Sequence, residues 1–301
     1  MKRLFVFMAA ALMISFGASG QSIKVLDNNI CQLEVAGATL KVDANRGGKG
    51  MSIQYNGQEV LAQHVPGEGF RNNDNDWGTT FWPSPQSEWN WPPIKTYDAN
   101  SYTITQTANS VILTSGLDSK WPYRFVKEFT TDPQAGCFVI NYTIENAGNA
   151  DKAVAPWEIT RVPAAGLLFF DAPEDKVSFN NENAPVPFQF SNGAVWFPFE
   201  QNARSRKSFA NAEGWVAYVN NGLMFLKQFE DVEYGATAPG QEQVEIFVSG
   251  GVTFIEIENQ GRYTMLKPGE KLTWTVRWYV RPVEYSSPSD ELKAFATSIL
   301  K

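Results

Sequence analysis

Residues that bind transition metals or assist a nucleophile are scarce in this sequence. Its 301 residues include one histidine, His64, and two cysteines, Cys31 and Cys137. Zinc sites are built from several histidine and cysteine ligands, so a three-histidine site is excluded and no familiar zinc site is expected. We therefore predict that the protein uses no metal. His64 lies beside Pro66 and Gly67, and we interpret it as a surface-loop residue.

Phosphate-binding loops and nucleophile elbows are also missing. The glycine-rich stretch NRGGKG at 45–50 lacks the spacing of a P-loop and precedes no helical pattern. No G-x-S-x-G segment precedes a predicted helix. The run NNDNDWG from Asn72 is rich in oxygen ligands, but Trp77 stands where an EF-hand loop needs glycine. We predict no cofactor and favour an ordinary polar loop from Asn72.

Basic residues are too few for a nucleic-acid surface. The chain has 25 Lys and Arg against 32 Asp and Glu, a net charge of −7, and no run of basic side chains. Nucleic-acid binding requires a basic surface that neutralises phosphates. No stretch approaches the roughly 20 uninterrupted apolar residues of a membrane-spanning helix. We predict neither a nucleic-acid partner nor a membrane span, and the sequence leaves the oligomeric state open.

The first twenty residues have the pattern of an export signal. Lys2 and Arg3 precede an apolar run over 4–16, and small residues follow at 18–20. The sequence predicts a signal peptide over 1–20, one domain over 21–301, and export to the periplasm or the extracellular space. In an oxidising compartment Cys31 and Cys137 could pair, but cysteine is also a common buried hydrophobic residue, which is the interpretation that we favour.

Alternation of apolar and polar residues recurs along the whole chain. It is clear in YTITQT at 102–107, CFVINYTIEN at 137–146 and LTWTVRWYV at 272–280. A period of two is typical of a half-buried β-strand. We therefore predict an all-β fold of large antiparallel sheets packed face to face, with functional loops at the rim or on a concave face.

Turn and helix signals complete this prediction. Asn-Gly pairs at 56–57 and 221–222 lie between alternating segments and predict two β-hairpins. A short C-terminal helix is predicted with Ser287 as its N-cap and Pro288 in its first turn.

The segment GTTFWPSPQSEWNWPP at 78–93 combines three tryptophans with four prolines. Proline removes a backbone donor and fixes φ, so we predict a surface loop here. Sugars bind to indole faces with polar groups at the ring edge. One indole contributes about 1 kcal/mol at about 25 cal/mol/Å², whereas association costs about 4 kcal/mol or more, so several rings are needed. The alternative is that individual rings pack into the core. The candidate sugar-binding residues of this region are Trp82, Trp89, Trp91, Glu88, Asp76 and Arg71.

Two strand segments carry candidate catalytic groups. Glu158 and Arg161 in APWEITRVP are three residues apart, so a regular strand points them to opposite faces. Glu256, Glu258 and Gln260 alternate in FIEIENQG and share one face. When two carboxylates are held close together, the pKa of one of them is raised, and a raised pKa suits acid–base chemistry. A solvent-facing row on an outer sheet is the alternative.

These segments carry a resemblance to a known family. GTTFWPSPQSEWNWPP, APWEITRVP and EIENQGRYTMLKPGEKLTWTVRWYV resemble the uncharacterised family DUF4380, whose members resemble the galactose mutarotase-like β-supersandwich. The resemblance implies a concave, carbohydrate-binding sheet face. Aldose 1-epimerases of that superfamily use a glutamate in an E-x-Q motif, which 258–260 matches, and a histidine that Trp157-Glu158 replaces here. Glu158 would then serve as the acid, with its pKa raised by Trp157.

Three functions are consistent with the sequence. The first is an enzyme, such as an epimerase, hydrolase or lyase, that acts on a sugar through Glu258 and Glu158, with Arg161 as electrostatic partner and Gln260 as a binding residue. The second is a carbohydrate-binding protein without catalysis. The third is a cell-envelope protein whose tryptophan-rich segment binds a protein partner.

Overall fold

A computed structural model describes residues 21–64, 76–200, 205–250 and 254–300. Two α-helices, α1 (Lys95–Asp98) and α2 (Asp290–Ile299), accompany 22 strands in these residues. The strands are β1 (Ser22–Val25), β2 (Ile30–Val35), β3 (Ala38–Asp43), β4 (Lys49–Tyr55), β5 (Gln58–Glu59), β6 (Thr79–Ser84), β7 (Thr103–Gln106), β8 (Ser110–Thr114), β9 (Tyr123–Asp132), β10 (Cys137–Asn146), β11 (Lys152–Pro163), β12 (Leu167–Asp171), β13 (Val177–Phe179), β14 (Gln189–Ser191), β15 (Ala194–Pro198), β16 (Arg206–Ala210), β17 (Trp215–Asn220), β18 (Leu223–Phe229), β19 (Val244–Val248), β20 (Phe254–Gln260), β21 (Thr264–Leu266) and β22 (Lys271–Pro282).

The strands form three antiparallel sheets. The first has the order β1-β2-β3-β4-β5, and the ten-stranded second sheet has the order β14-β15-β12-β17-β18-β22-β10-β9-β8-β7. The third, seven-stranded sheet has the order β13-β16-β19-β20-β11-β21, and β6 also pairs with β11. The predicted all-β architecture of large antiparallel sheets is confirmed.

The main core contains side chains from all three sheets. Leu40 of the first sheet, Ile140 of the second and Ile257 of the third are at most 1% exposed and belong to one apolar cluster. On β10, Ile140, Tyr142 and Ile144 are buried, while Asn141 and Thr143, which alternate with them, are partly exposed. The period of two in the sequence therefore reflects one face packed on the core and one face directed outward.

A second apolar cluster lies on the other face of the ten-stranded sheet. Leu292 and Ala296 of α2 pack there against residues such as Tyr279. The predicted cap of this helix was wrong by two residues. The helix begins at Asp290, and the Ser289 hydroxyl accepts a hydrogen bond from the Leu292 N–H at 3.1 Å. Within the described residues, no helix is long and apolar enough to cross a membrane.

Both predicted hairpins are confirmed. Asn56-Gly57 links β4 to β5, Asn221-Gly222 links β17 to β18, and all four residues have positive φ, as the tight hairpin turn requires. Cys31 and Cys137 are buried free thiols, one in each of the two apolar clusters.

The proline-rich segment begins as a strand, which corrects the prediction of a loop throughout. Thr79–Ser84 forms β6, which among the described strands pairs with β11 alone, with Pro83 opposite Pro156. Proline is tolerated at such a sheet edge because one side of the strand needs no ladder donor. This pairing places Trp82 directly opposite Trp157 of β11.

Candidate functional site

A cavity of about 630 Å³ lies on the seven-stranded sheet. On β20, Ile255 and Ile257 enter the main core, whereas Glu256 and Glu258 line the cavity. The cavity is therefore on the sheet face that points away from the core. Its aromatic wall consists of Trp82, Trp91, Trp157, Phe247 and Phe254. Its polar lining includes Asp76, Gln86, Ser205, Lys207, Ser249, Glu256 and Glu258.

Strand register brings these side chains together. Ile159 of β11 lies opposite Glu258, and Arg161 lies opposite Glu256. Glu245 of β19 also lies directly opposite Glu258. Because facing residues in an antiparallel pair project to the same side of the sheet, the carboxylates of β19 and β20 share the face that carries the cavity.

Trp82 is the centre of the tryptophan cluster. Its ring lies 5.3 Å from Trp157 and 6.1 Å from Trp91, nearly perpendicular to both. Trp82 is 4% exposed, and its Nε1–H donates to Asp98 Oδ1 at 2.7 Å. Trp91 is 56% exposed and forms the outer part of the wall. Two fixed indoles and one accessible indole thus face the cavity.

Glu258 is held by two donors at the cavity wall. Its Oε2 accepts hydrogen bonds from Trp157 Nε1–H at 3.0 Å and from Lys207 Nζ at 2.9 Å. The Lys207 ammonium also contacts Glu245 Oε2 at 2.6 Å. Glu245 is fully buried, and its Oε1 accepts from the Gln260 side-chain amide at 2.8 Å. One cation therefore bridges two buried carboxylates that face each other across neighbouring strands.

Burial and neighbouring charges shift the pKa values in this cluster. Burial raises the pKa of Glu258 to about 7; the Lys207 ammonium opposes this shift and the Glu245 carboxylate adds to it. Burial also raises the pKa of Glu245, again opposed by Lys207. For Lys207, burial lowers the pKa, but the two carboxylates outweigh it and hold the pKa above its ordinary value. Lys207 stays protonated while Glu258 titrates near neutrality.

A second ion pair lies beside the first. Arg161 is fully buried, and its Nε contacts Glu256 Oε1 at 2.8 Å. Its guanidinium carbon lies 5.6 Å from the Trp82 ring, and Nη1 donates to Thr80 Oγ1 at 3.2 Å. Glu256 lines the cavity whereas Arg161 does not. Arg161 therefore contacts Glu256 and the Trp82 ring from outside the cavity lining.

Glu158 lies on the opposite face of the sheet, which corrects its assignment as a partner of Glu258. Its Oε2 lies 3.1 Å from the Lys227 ammonium, and its Oε1 accepts from Thr160 Oγ1 at 2.7 Å. Glu158 and Lys227 are both fully buried. Adjacent strand residues alternate faces, so Trp157 and Ile159 face the cavity side while Glu158 does not. Its indole neighbour, Trp157, donates to Glu258 instead.

The remaining predicted binding residues lie in different places. Asp76 lines the cavity with Trp82 and Trp91. Gln260 is buried beside Glu245 and accepts from Ser84 Oγ at 2.6 Å, outside the cavity lining. Trp89 packs against Trp82 and Trp157, also outside the lining, and Glu88 is exposed. Arg71 lies outside the described residues.

Sequence reasoning missed Lys207. It lies on β16, and the partner that it contacts at the cavity, Glu258, is 51 residues away in the chain. The only local signal is the alternation of Lys207 and Phe209 with the buried Ser208 and Ala210 in a short strand. Within the described ranges, no group of three or more His, Cys, Asp or Glu side chains is placed to hold a metal ion.

No protein-family model matches this chain, and no curated protein matches it. Solved structures share its fold. A putative aldose 1-epimerase from Escherichia coli K12 superposes with a TM-score of 0.60 at 13% identity, over 88% of this chain and 100% of its own. A galactose mutarotase-like protein from Lactobacillus casei superposes with a TM-score of 0.57 at 12% identity, over 84% of this chain and 100% of its own. A galactose mutarotase-like protein from Clostridium acetobutylicum superposes with a TM-score of 0.58 at 8% identity, over 88% of this chain and 99% of its own.

At these identities the likeness shows the fold alone. The chain has the galactose mutarotase-like sandwich that the sequence predicts. The resemblance to DUF4380 remains a prediction.

Proposed function

We propose that the protein binds a carbohydrate in this cavity and that Glu258 exchanges a proton with the bound sugar. The observation that carries the proposal is one cavity wall that combines three indoles, Trp82, Trp91 and Trp157, with the Glu258 carboxylate. Apolar rings with a few fixed polar groups are the usual composition of a small-molecule site. The neighbours named as aldose 1-epimerase and galactose mutarotase-like proteins support a sugar as the ligand.

One accessible ring and a few hydrogen bonds are sufficient for binding. Trp91 is 56% exposed, whereas Trp82 and Trp157 are at most 4% exposed, so Trp91 supplies most of the indole contact; covering roughly 50 Å² of sugar it contributes about 1 kcal/mol, and association costs about 4 kcal/mol or more. Hydrogen bonds from sugar hydroxyls to ionised groups contribute about 1.5–3 kcal/mol each. Two such bonds, to Glu256 and Glu258 for example, offset the remaining cost and leave a measurable affinity.

Glu258 is suited to acid–base chemistry at neutral pH. A general acid or base works best when its pKa lies near the working pH, and burial places the pKa of Glu258 at about 7. Trp157 and Lys207 fix the position of the carboxylate from two sides. A mechanism with Glu158 as the second group is set aside because Glu158 contacts Lys227 on the other sheet face. Proton transfer to and from a sugar hydroxyl is the chemistry that we assign to Glu258.

We also propose that the chain is exported and acts as one domain over 21–301. The basic, apolar and small-residue pattern of its first twenty residues supports export.

The direct test is a titration with monosaccharides and glycans by calorimetry, followed by chromatography and NMR of any sugar that binds. We expect saturable binding of at least one sugar, with product or accelerated anomeric exchange when the protein is added. Binding without either would leave a carbohydrate-binding protein without catalysis. The second candidate function is binding of a protein partner, which the exposure of Trp91 favours. A folded protein that binds no sugar in this titration would support that second function.

Replacing Trp91 by Ala should weaken sugar binding about fivefold and leave the melting temperature within about 1 °C. Contact between the Trp91 ring and a sugar contributes about 1 kcal/mol to binding, and more than half of the Trp91 side chain is exposed in the free protein. Tyr234→Ala is the matched control, because Tyr234 is 63% exposed and does not line the cavity. Equal sugar affinity in the Trp91→Ala variant and the wild type would remove Trp91 from the site.

A further inference from the structure

The charges that face the cavity do not cancel. Among the described residues, three carboxylates line it, those of Asp76, Glu256 and Glu258, and one cation does so, Lys207. Two of the three carboxylates have a cation of their own. Glu256 contacts Arg161 at 2.8 Å, and Glu258 contacts Lys207 at 2.9 Å. Asp76 is the lining carboxylate that remains.

Asp76 has an oxygen without a partner. Its Oδ2 is shielded from solvent, and no hydrogen-bond donor among the described residues contacts it. A buried acceptor left without a donor is costly, and a cation bound at the cavity-facing side of Asp76 would compensate the charge of this carboxylate. The cations that act on Asp76 from a distance are already engaged. Arg161 pairs with Glu256, and the Lys49 ammonium donates to the Trp77 carbonyl oxygen at 3.3 Å.

The wider charge count gives the same result. The elements around the cavity contribute Asp76, Glu245 of β19, and Glu256 and Glu258 of β20. Three cations oppose these four carboxylates: Lys207 of β16, Arg161 of β11 and Lys49 of β4. On the far side of the sheet, Glu158 and Lys227 cancel each other. When all four carboxylates are ionised, one negative charge is left over in the described part of the site.

The aromatic wall suits a cation as well as a sugar face. Trp82 and Trp91 meet at 81°, and Trp82 and Trp157 meet at 80°, so the rings form the sides of a corner. A cation close to indole faces is attracted by the ring quadrupole, and this attraction grows when water is excluded. Arg161 already lies 5.6 Å from the Trp82 ring, and Lys207 lies 5.2 Å from the Trp157 ring. Among the described residues no cation lies over Trp91, which lines the cavity with Asp76, so an ammonium group bound to Asp76 would use the Trp91 ring.

We propose that the cavity selects a sugar that carries a protonated amine, and that the ammonium group binds to Asp76. This inference rests on the proposed carbohydrate function and names its ligand class. A neutral hexose would leave the carboxylate excess uncompensated. A uronic acid or a sulfated sugar would add a negative charge to it. An amino sugar supplies the missing cation to Asp76.

The experiment compares matched sugars by calorimetry at pH 7. The probes are glucosamine, galactosamine and mannosamine, each beside its parent hexose, its N-acetyl derivative and its uronic acid, with short oligomers of the same sugars. We expect at least one amino sugar to bind about tenfold or more tightly than its parent and its N-acetyl derivative. Acetylation removes the charge and keeps the nitrogen, so this pair isolates the ammonium group.

Asp76→Asn then tests the residue. It should abolish the preference for the amino sugar over its parent hexose and its N-acetyl derivative. Asp175→Asn is the matched control, since the Asp175 side chain is 79% exposed and lies outside the cavity lining. Burial raises the pKa of Asp76 to about 6, so the wild-type preference should also shrink as the pH falls below 6, and the Asn variant should show no such change.

The outcomes separate this inference from the proposed function. If every amino sugar binds no more tightly than its parent hexose, or if Asp76→Asn keeps the preference, the inference is overturned while the carbohydrate function stands. If no sugar of any series binds to the folded protein, the proposed function fails and the inference fails with it.

Discussion

Replacing Lys207 by Met should lower the free energy of unfolding by about 3–5 kcal/mol at pH 8. The substitution keeps most of the side-chain volume and removes the ammonium that contacts Glu245 at 2.6 Å and Glu258 at 2.9 Å. Both carboxylates are at most 2% exposed. Removing one member of a buried charge cluster is strongly destabilising, because the remaining charge is left without compensation.

The loss should depend on pH in a defined direction. The pKa of Glu258 in the folded protein is about 7, above its ordinary value of 4.5, because the side chain is buried. Between these two values the folded state binds more protons than the unfolded state, so stability falls as the pH rises. Without Lys207 the pKa of Glu245 and that of Glu258 rise further, and the fall extends to higher pH. The defect should therefore be smaller at pH 5 than at pH 8.

Urea unfolding at both pH values measures this effect. Lys271→Met is the control, since the Lys271 side chain is 58% exposed and contacts Glu145 at the surface; its effect should stay within about 0.5 kcal/mol. A Lys207→Met variant that matches this control at both pH values would show that Lys207 does not neutralise the two carboxylates.

Replacing Glu258 by Gln should reduce any sugar turnover about 10²- to 10⁴-fold while sugar affinity changes only a few-fold. This is the contribution expected of a general acid or base. The amide keeps the size of the side chain and an acceptor for Trp157 Nε1–H, so the cavity wall is retained. It also leaves Lys207 with Glu245 as a simple pair, so stability at pH 8 should not fall below that of the wild type.

Chromatographic or NMR rate measurement with the sugar identified by titration provides the test. Glu174→Gln makes the same chemical change at an exposed position and should leave the rate unchanged. Turnover by Glu258→Gln within threefold of the wild type would exclude Glu258 as the proton-transfer group. Lys207→Met is thus expected to lower the stability at pH 8, whereas Glu258→Gln is expected not to lower it, although the two side chains contact each other.

Local pattern was enough to predict the sheets and part of the site. The shared face of Glu256 and Glu258 follows from their spacing of two, and both line the cavity. The same rule predicts that Glu158 and Arg161 point to opposite faces, and Arg161 contacts Glu256 while Glu158 contacts Lys227. The incorrect pairing of Glu158 with Glu258 came from motif order, which carries no information about faces.

Register between distant strands was not predictable from one sequence. Lys207 meets Glu258 only because β16 pairs with β19 and β19 with β20. No local signal fixes that order. The role of Trp89 was hidden for a similar reason, since its Nε1–H donates to the Pro83 carbonyl at 2.7 Å and the ring packs behind Trp82. Composition identified a tryptophan-rich segment but could not assign Trp82 and Trp91 to the cavity and Trp89 to the packing behind it.

The most direct test of a sugar in this cavity is ¹⁹F NMR of protein labelled with 5-fluorotryptophan. The ten tryptophans are assigned by single Trp→Phe substitutions, and the labelled protein is titrated with the sugar panel. We predict that a binding sugar shifts the Trp82, Trp91 and Trp157 resonances with one saturation curve and leaves Trp196, buried in the second apolar cluster, unchanged. A panel that moves none of the three cavity resonances, or that moves only resonances elsewhere, would contradict the account.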